Sequence, residues 1–357
     1  MYAWIGICIT TTLTLTTLFP LPSLPPPSGL YHTINRRAHL VNRDGQVFTM
    51  VLYEAAKEGT GKRAEYLRCG LRATQGIAAF ADAWGWLFSW LRYTEVGDWL
   101  VEGGDVGGFV DEDDGKEVVE EERRKRPCVM FCHGTGALPE LYSVLIGSLA
   151  SEGMLVCCVE FTDGSAAHAE GPEDGEGKVK YAMGYKEGMG VKDALVTRVH
   201  QVHVALDVLL EGKWGVDEER IGILGQSSGA STAAQAAADD ERFKCLVVQD
   251  LWAEPLHLPS LTPLQSIPLL ALASPSYATH DNLKALEFLA SNAHPHTNIL
   301  VLPTAGHISY TDFAITSPIL FNQHLGKGPP HHDLHILTSA TTAFLKGFFT
   351  KEAVHLP

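Results

Sequence analysis

The stretch RIGILGQSSGASTAAQAAA, residues 220–238, decides the fold. It opens as a short apolar run next to glycine, the pattern of a buried strand, and closes as a run of small residues that favour helix. Between the two halves Gly225-Gln226-Ser227-Ser228-Gly229 fits the pattern G-x-S-x-G. The pentapeptide alone is a weak signal, because glycine and serine are frequent. Its weight comes from standing between a strand and a helix. Glycine at either end permits a tight strand-to-helix turn in which no side chain blocks the serine, so the hydroxyl stands at the carboxyl edge of a sheet, near a helix amino terminus. Ser227 is therefore the candidate nucleophile.

Working outward, the same alternation repeats. Apolar runs at 128–133 (CVMFCH), 154–161 (MLVCCVEF), 243–249 (FKCLVVQ), 267–273 (IPLLALA) and 298–302 (NILVL) read as strands. Helices are expected near 139–152, at 191–211 (VKDALVTRVHQVHVALDVLLE), from 229, near 281–291 and at 335–350. Continuous apolar strands separated by helices predict a mostly parallel central sheet with helices on both faces, the α/β class and, with the elbow, the α/β-hydrolase fold. Residues 45–54 (GQVFTMVLYE) alternate in strand fashion and add an early strand. No internal repeat is visible.

A serine hydroxyl needs a base, and His307 in Pro303-Thr-Ala-Gly-His307 follows the late strand at 298–302, where it can reach the same sheet edge. A carboxylate must then orient the imidazole. Asp250 ends the strand at 243–249 directly and Asp281 follows the strand at 267–273, and chain order permits both. Ester chemistry also needs amide donors for an oxyanion. The strand at 128–133 runs into His133-Gly134-Thr135-Gly136, so the backbone N–H groups of Thr135 and Ser228 are the candidates. Gly134-x-Gly136 lacks the third glycine and the following acid of a dinucleotide loop. His200 and His203, and the run 329–333 (PPHHD), do not offer three ligands at a metal spacing. Neither a metal nor a cofactor is expected.

With 357 residues, 45% of them hydrophobic, the chain can bury one large core, so residues 29–357 are expected to form a single catalytic domain. Residues 1–28 read as an apolar and then proline-rich extension, with a signal peptide or anchor as alternatives for 1–21. Residues 102–126 (EGGDVGGFVDEDDGKEVVEEERRKR) carry charge and glycine with hardly an apolar anchor, and are expected as a solvated, disordered insertion. The net charge of -15 argues against a nucleic-acid footprint. Seven cysteines without framework spacing read as buried free thiols, which points to a reducing compartment, cytoplasmic or at a membrane surface. The apolar amino terminus points the other way, to secretion or anchoring. From 75 to 93 (QGIAAFADAWGWLFSWLRY) apolar residues recur at helical spacing, and Trp84, Phe88 and Trp90 are candidates to meet a membrane or lipid aggregate.

Four segments together resemble the platelet-activating factor acetylhydrolases. FCHGTGALPELYSVLIGSLASEGMLVCCVEFTDGSA is similar to that family's strand, oxyanion turn and helix, and RIGILGQSSGASTAAQAAADDERFKCLVVQDLW to its elbow and the strand ending in Asp-x-Trp. PTAGHISYTDF resembles its histidine loop and LPPPSGLY its beginning. The resemblance covers most of residues 22–350 and is weakest in 55–126. It implies a calcium-independent α/β-hydrolase that cuts the sn-2 acetyl or short or oxidised acyl group from phospholipids, with Ser227 as nucleophile, Asp250 rather than Asp281 as acid, His307 as base, and Thr135 and Ser228 as amide donors. Gln226 departs from the family, which usually has histidine there. A generic carboxylesterase or dienelactone-type hydrolase, and a non-catalytic binding protein on the same fold, are the rival readings.

Overall fold

The computed structural model describes residues 23–29, 31–41, 47–56, 62–97, 100–105, 125–169, 173–174, 178–179, 190–212, 214–316 and 326–350. Strands β1 (His32–Val41), β2 (Val47–Ala56), the two-residue β3 (Lys62–Arg63) and β4 (Leu100–Asp105) come first. They are followed by β5 (Arg126–Cys132), β6 (Leu155–Glu160), a separate small hairpin of β7 (Glu173–Asp174) and β8 (Lys178–Val179), then β9 (Val216–Gln226), β10 (Cys245–Gln249), β11 (Leu269–Ala273) and β12 (Asn298–Val301). The main sheet has the order β12-β11-β10-β9-β5-β6-β2-β1-β4-β3. From β12 to β6 every neighbouring pair is parallel, and β2 joins β6 antiparallel to begin a mixed extension.

The helices are α1 (Leu71–Phe80), α2 (Ser143–Ser151), α3 (Val191–Glu211), α4 (Ser228–Asp239), α5 (His280–Ala290), the short α6 (Phe313–Thr316) and α7 (Pro330–Thr350). Alternate residues of the buried strands feed two apolar clusters, one on each face. Val129 and Phe131 of β5 face Leu145 and Leu149 of α2 and Phe344 and Leu345 of α7, while Cys128, Met130 and Cys132 join Val202 and Leu206 of α3 and Ala233 of α4. This two-sided burial is why these strands read as unbroken apolar runs.

Several expectations change. β1 was not visible as a strand, because its sequence HTINRRAHLV is polar at many positions. The segment 75–93 is two elements: α1 ends where Asp82 turns to φ 49° and the Ala83 N–H closes on the Ala78 carbonyl, and a 3-10 helix follows over Gly85–Tyr93. Of the expected insertion, the first four residues lie in β4 and the last in β5; residues 106–124 lie outside the described residues. The apolar 1–22 likewise lies outside them. Leu24, placed by sequence in the extension, is buried and its N–H donates to Glu95 O at 2.9 Å. Cys128, Cys132, Cys157, Cys158 and Cys245 are buried free thiols, and burial pushes those of Cys128 and Cys132 up to about 12. Among the described residues no helix is long and apolar enough to cross a membrane.

Candidate active site

The chain leaves β5 for β6 on one side, while β9 pairs with β5 on the other, so the strand order reverses between β5 and β9. In an open parallel sheet the crevice outside the carboxyl ends at such a point is where ligands bind. β5 ends there in His133–Gly136, and β9 ends in Ser227. The register sets Cys132 beside Gly225, and Gln226 beside Gln249, so three strand ends align.

Ser227 stands between β9 and α4 with φ 58° and ψ -123°, a backbone conformation that costs a non-glycine residue on the order of 1–3 kcal/mol. The glycines on either side are dictated by contact. A Cβ on Gly225 would lie 2.0 Å from the Gly229 carbonyl oxygen, and a Cβ on Gly229 2.0 Å from the Cys132 carbonyl oxygen. Any side chain at either place would push β9, α4 and β5 apart.

The structure brings Ser227, His307 and Asp250 into one hydrogen-bonded chain. Ser227 Oγ lies 3.1 Å from His307 Nε2, and His307 Nδ1 lies 2.9 Å from Asp250 Oδ2. Asp250 is 2% exposed and its carboxylate also accepts from Ser274 N (2.6 Å), Ser274 Oγ (2.7 Å) and Tyr310 Oη (3.3 Å). Four donors hold the carboxylate in place, as a buried charge requires. Asp281, the other carboxylate that chain order allowed, is exposed in the first turn of α5. The Tyr277 ring stacks on the His307 imidazole at 3.9 Å between centroids and 13° between planes, which covers one face of the ring.

Beside the serine, Thr135 Oγ1 donates to Ser228 Oγ at 2.8 Å, so the side chains of the two candidate amide donors are bonded to each other. The neighbouring amides are committed elsewhere: Gly134 N–H to Tyr142 Oη and Gly136 N–H to the Ser165 carbonyl. Ser228 begins α4, so its N–H has no intrahelical acceptor.

Sequence reasoning missed Arg198. Its guanidinium comes from the buried face of α3, donating to Ser228 Oγ (2.9 Å), Thr232 Oγ1 (3.3 Å) and the His133 carbonyl (2.6 Å). It lies 4.0 Å over the Phe161 ring and 3.7 Å from Asp163. Arg198 thereby joins the peptide before Gly134 to the residue after the nucleophile. Burial, then the charge of Arg198, lowers His133 to about 3, so its ring is neutral. The signal was a lone arginine on the face that carries Ala194, Leu195 and Val202, which a solvated charge would not occupy.

The proposed lipid-facing residues divide. Trp84 is 71% exposed, but Phe88 is buried and, with half-buried Trp90, packs on Phe313 at 6.0 and 6.1 Å. The reason is helix type. With three residues per turn Phe88 and Leu91 eclipse and turn inward, whereas Trp86 turns out and stacks on Trp84 at 6.1 Å. Phe80, half exposed, lies against the oxyanion turn, where a Cβ on Gly136 would meet its ring at 2.2 Å. Of the histidines considered for metal, His203 is bonded to the Ala236 carbonyl at 3.1 Å. Among the described residues no three His, Cys, Asp or Glu side chains converge as metal ligands.

Against known proteins, the family model described as platelet-activating factor acetylhydrolase, isoform II, matches residues 114–215 and 195–353. The platelet-activating factor acetylhydrolase of Gallus gallus is 25% identical over 261 residues, 62% of this chain and 62% of that protein. That of Cavia porcellus is 27% identical over 253 residues, 63% of this chain and 58% of its own length. The chain thus spans less than two thirds of the length of these relatives. Among solved structures, a ferulic acid esterase from Streptomyces cinnamoneus is similar with a TM-score of 0.68 at 17% identity, covering 91% of this chain and 92% of that one. At that identity the likeness shows the α/β-hydrolase fold.

Proposed function

The chain belongs to the family of platelet-activating factor acetylhydrolase, isoform II, and from that premise we propose that it is a calcium-independent serine esterase for the sn-2 acetyl or short or oxidised acyl ester of phospholipids. The observation that carries the reading is the unbroken chain from Ser227 Oγ through His307 to Asp250, with Thr135 and Ser228 alongside.

In this mechanism His307 Nε2 takes the Ser227 hydroxyl proton as Oγ attacks the sn-2 carbonyl carbon. The electron pair displaced onto the carbonyl oxygen is met by the Thr135 and Ser228 N–H groups. Collapse of the tetrahedral adduct breaks the bond to the glycerol oxygen, which leaves as lysophospholipid with the proton from His307. Water then attacks the acyl-serine, His307 taking its proton and returning it to Oγ, and the short acid departs. Asp250 holds the imidazole with Nδ1–H towards itself. No step calls for calcium.

A soluble-ester specialist would have been favoured by a wholly buried aromatic segment. Exposure of Trp84 and Trp86, and of Phe80 against the oxyanion turn, supports a lipid surface as the place of work, since tryptophan partitions into the interface. The test is hydrolysis of sn-2 acetyl and sn-2 palmitoyl phosphocholine with calcium chelated, for the parent and Ser227→Ala. Acetyl release that disappears in the variant is expected. Turnover confined to simple soluble esters would favour a general carboxylesterase, and none on any ester a binding protein.

A further inference from the structure

Gln226, the last residue of β9 and the one before the nucleophile, is 3% exposed, and both ends of its side chain are engaged. Its Oε1 accepts from Tyr142 Oη at 2.9 Å, and its Nε2 donates to the main-chain carbonyl of His307 at 3.1 Å. Tyr142 Oη in turn accepts the Gly134 N–H at 3.2 Å, and its ring is held edge-on against Phe131 at 4.8 Å. The contact with the turn is close: a Cβ on Gly134 would lie 2.6 Å from Gln226 Oε1.

The chemistry of the groups fixes every direction in this chain. A backbone amide donates and a carbonyl accepts, so the hydroxyl must receive from Gly134 and give to Gln226, whose amide must then present its nitrogen to His307. A neutral carboxamide has an acceptor at one oxygen and a donor at the adjacent nitrogen, which is what the two partners demand. A carboxylate would set oxygen against oxygen at His307.

Building on the serine-esterase reading, we propose that Gln226 is a positioning residue that ties the oxyanion turn, through Tyr142, to the backbone of the base. The turn and the histidine loop come from distant parts of the chain, and each touches the reacting ester from a different side. Gln226 sets their separation across the nucleophile, acting through Gly134 and His307 and touching no reacting atom. This work is separate from that of Asp250, which orients the ring, and of Arg198, which holds the other flank of the turn.

The test is a double-mutant cycle with Tyr142→Phe, Gln226→Met and both together, read as kcat and KM on a soluble short-chain acyl ester with folding checked by thermal melting. Two members of one chain are not additive. Each single variant should lower kcat by about tenfold with KM within about twofold, and the double should be no worse than the poorer single, as groups acting as a unit behave. A double variant that loses the product of the two factors, or singles that leave kcat unchanged, overturns the proposal. Should Gln226→Met not fold, Gln226→Glu keeps the acceptor for Tyr142 and removes the donor to His307, and unchanged kcat in that variant overturns the proposal equally. A merely structural role would lower melting temperature and leave kcat of the folded fraction intact. A parent without Ser227-dependent turnover would overturn the esterase reading itself, and this proposal with it, which sets that failure apart from additivity in an active enzyme.

Discussion

Two regions meet at Gly136, and they are built on opposite rules. On one side lies the sheet edge with Ser227, Asp250, Arg198 and Gln226, each less than a tenth exposed and each hydrogen-bonded to named partners. On the other lies the aromatic segment 80–93, where Trp84, Trp86, Phe80 and Tyr93 are more than half exposed. The first region gains from excluding water, because fixed donors act more strongly in a drier setting. The second presents apolar surface to water at a cost that contact with lipid would remove. The comparison separates chemistry from delivery: a change in the first region should act on every ester alike, and a change in the second only on aggregated substrate.

The largest effect belongs to Ser227→Ala. It should lower kcat by on the order of a millionfold on soluble and micellar esters alike, as loss of a triad nucleophile does elsewhere. Substantial turnover surviving on either substrate would remove Ser227 from the centre of the comparison.

Arg198→Met comes next, because it withdraws three hydrogen bonds from the flank of the oxyanion turn. Activity on both kinds of substrate should fall, by up to about 100- to 1,000-fold if the turn relaxes fully, the range for losing an oxyanion donor. It should also destabilise the fold by about 3–5 kcal/mol, since Asp163 is left without its counter-charge. The double variant Arg198→Met with Asp163→Asn should recover much of that stability in urea titration without recovering turnover. If both recover together, Arg198 serves the fold and not the turn.

A smaller and more selective loss is expected from Trp84→Ser with Trp86→Ser. Replacing two exposed aromatics should weaken partition onto phosphocholine vesicles by about 10- to 100-fold, while kcat on a soluble ester stays within about twofold. Vesicle sedimentation and parallel assays measure both. Equal losses on soluble and vesicular substrates would erase the distinction between the regions.

The legibility of the two regions in the sequence follows the same division. The parallel strands β5, β6, β10 and β11 were readable because both their faces are buried, which forces apolar residues into runs such as LVCCVE in β6 and LLALA in β11, whereas β12 keeps an apolar run, NILV, on the exposed edge. The elbow was readable because close backbone approach forces glycine at 225 and 229. The choice of Asp250 over Asp281 was not readable from spacing, because both follow strands; resemblance pointed to Asp250, and what distinguishes the two in space is the set of donors from Ser274 and Tyr310. Arg198 was missed, and Gln226 was noticed only as a departure from the family, because the partners of both side chains lie far off in the chain. The segment 75–93 was misread for a different reason. Apolar residues there fit a 3.6-residue period well enough, and no periodicity announces that a left-handed Asp82 ends the α-helix and that a tighter helix then turns Phe88 inward.

Asp312 and Phe313 are the joint between the two regions, and the smallest effect on turnover is expected there. Phe313 carries Phe88 and Trp90, while the fully buried Asp312 carboxylate accepts the Ser143 N–H at 2.7 Å and the Val144 N–H at 3.1 Å at the start of α2. Burial pushes this carboxyl up to about 7, against the opposing pull of the two amides and Tyr66. An unfolded chain would titrate it near the ordinary value of about 3.9. Between those values the folded protein holds a proton that the unfolded chain has lost. The stability that Asp312 contributes is therefore complete below about pH 3.9 and is lost as the pH rises through about 7. Asp312→Asn keeps a neutral acceptor for one amide and removes the titration. On going from pH 5.5 to 8.5 the parent's melting temperature should fall more than the variant's, by about 2–4 °C for each kcal/mol involved, with activity at neutral pH on either substrate within about twofold. Parallel melting curves would mean that the carboxylate is charged throughout, held by the α2 amides, and the joint would then be insensitive to pH.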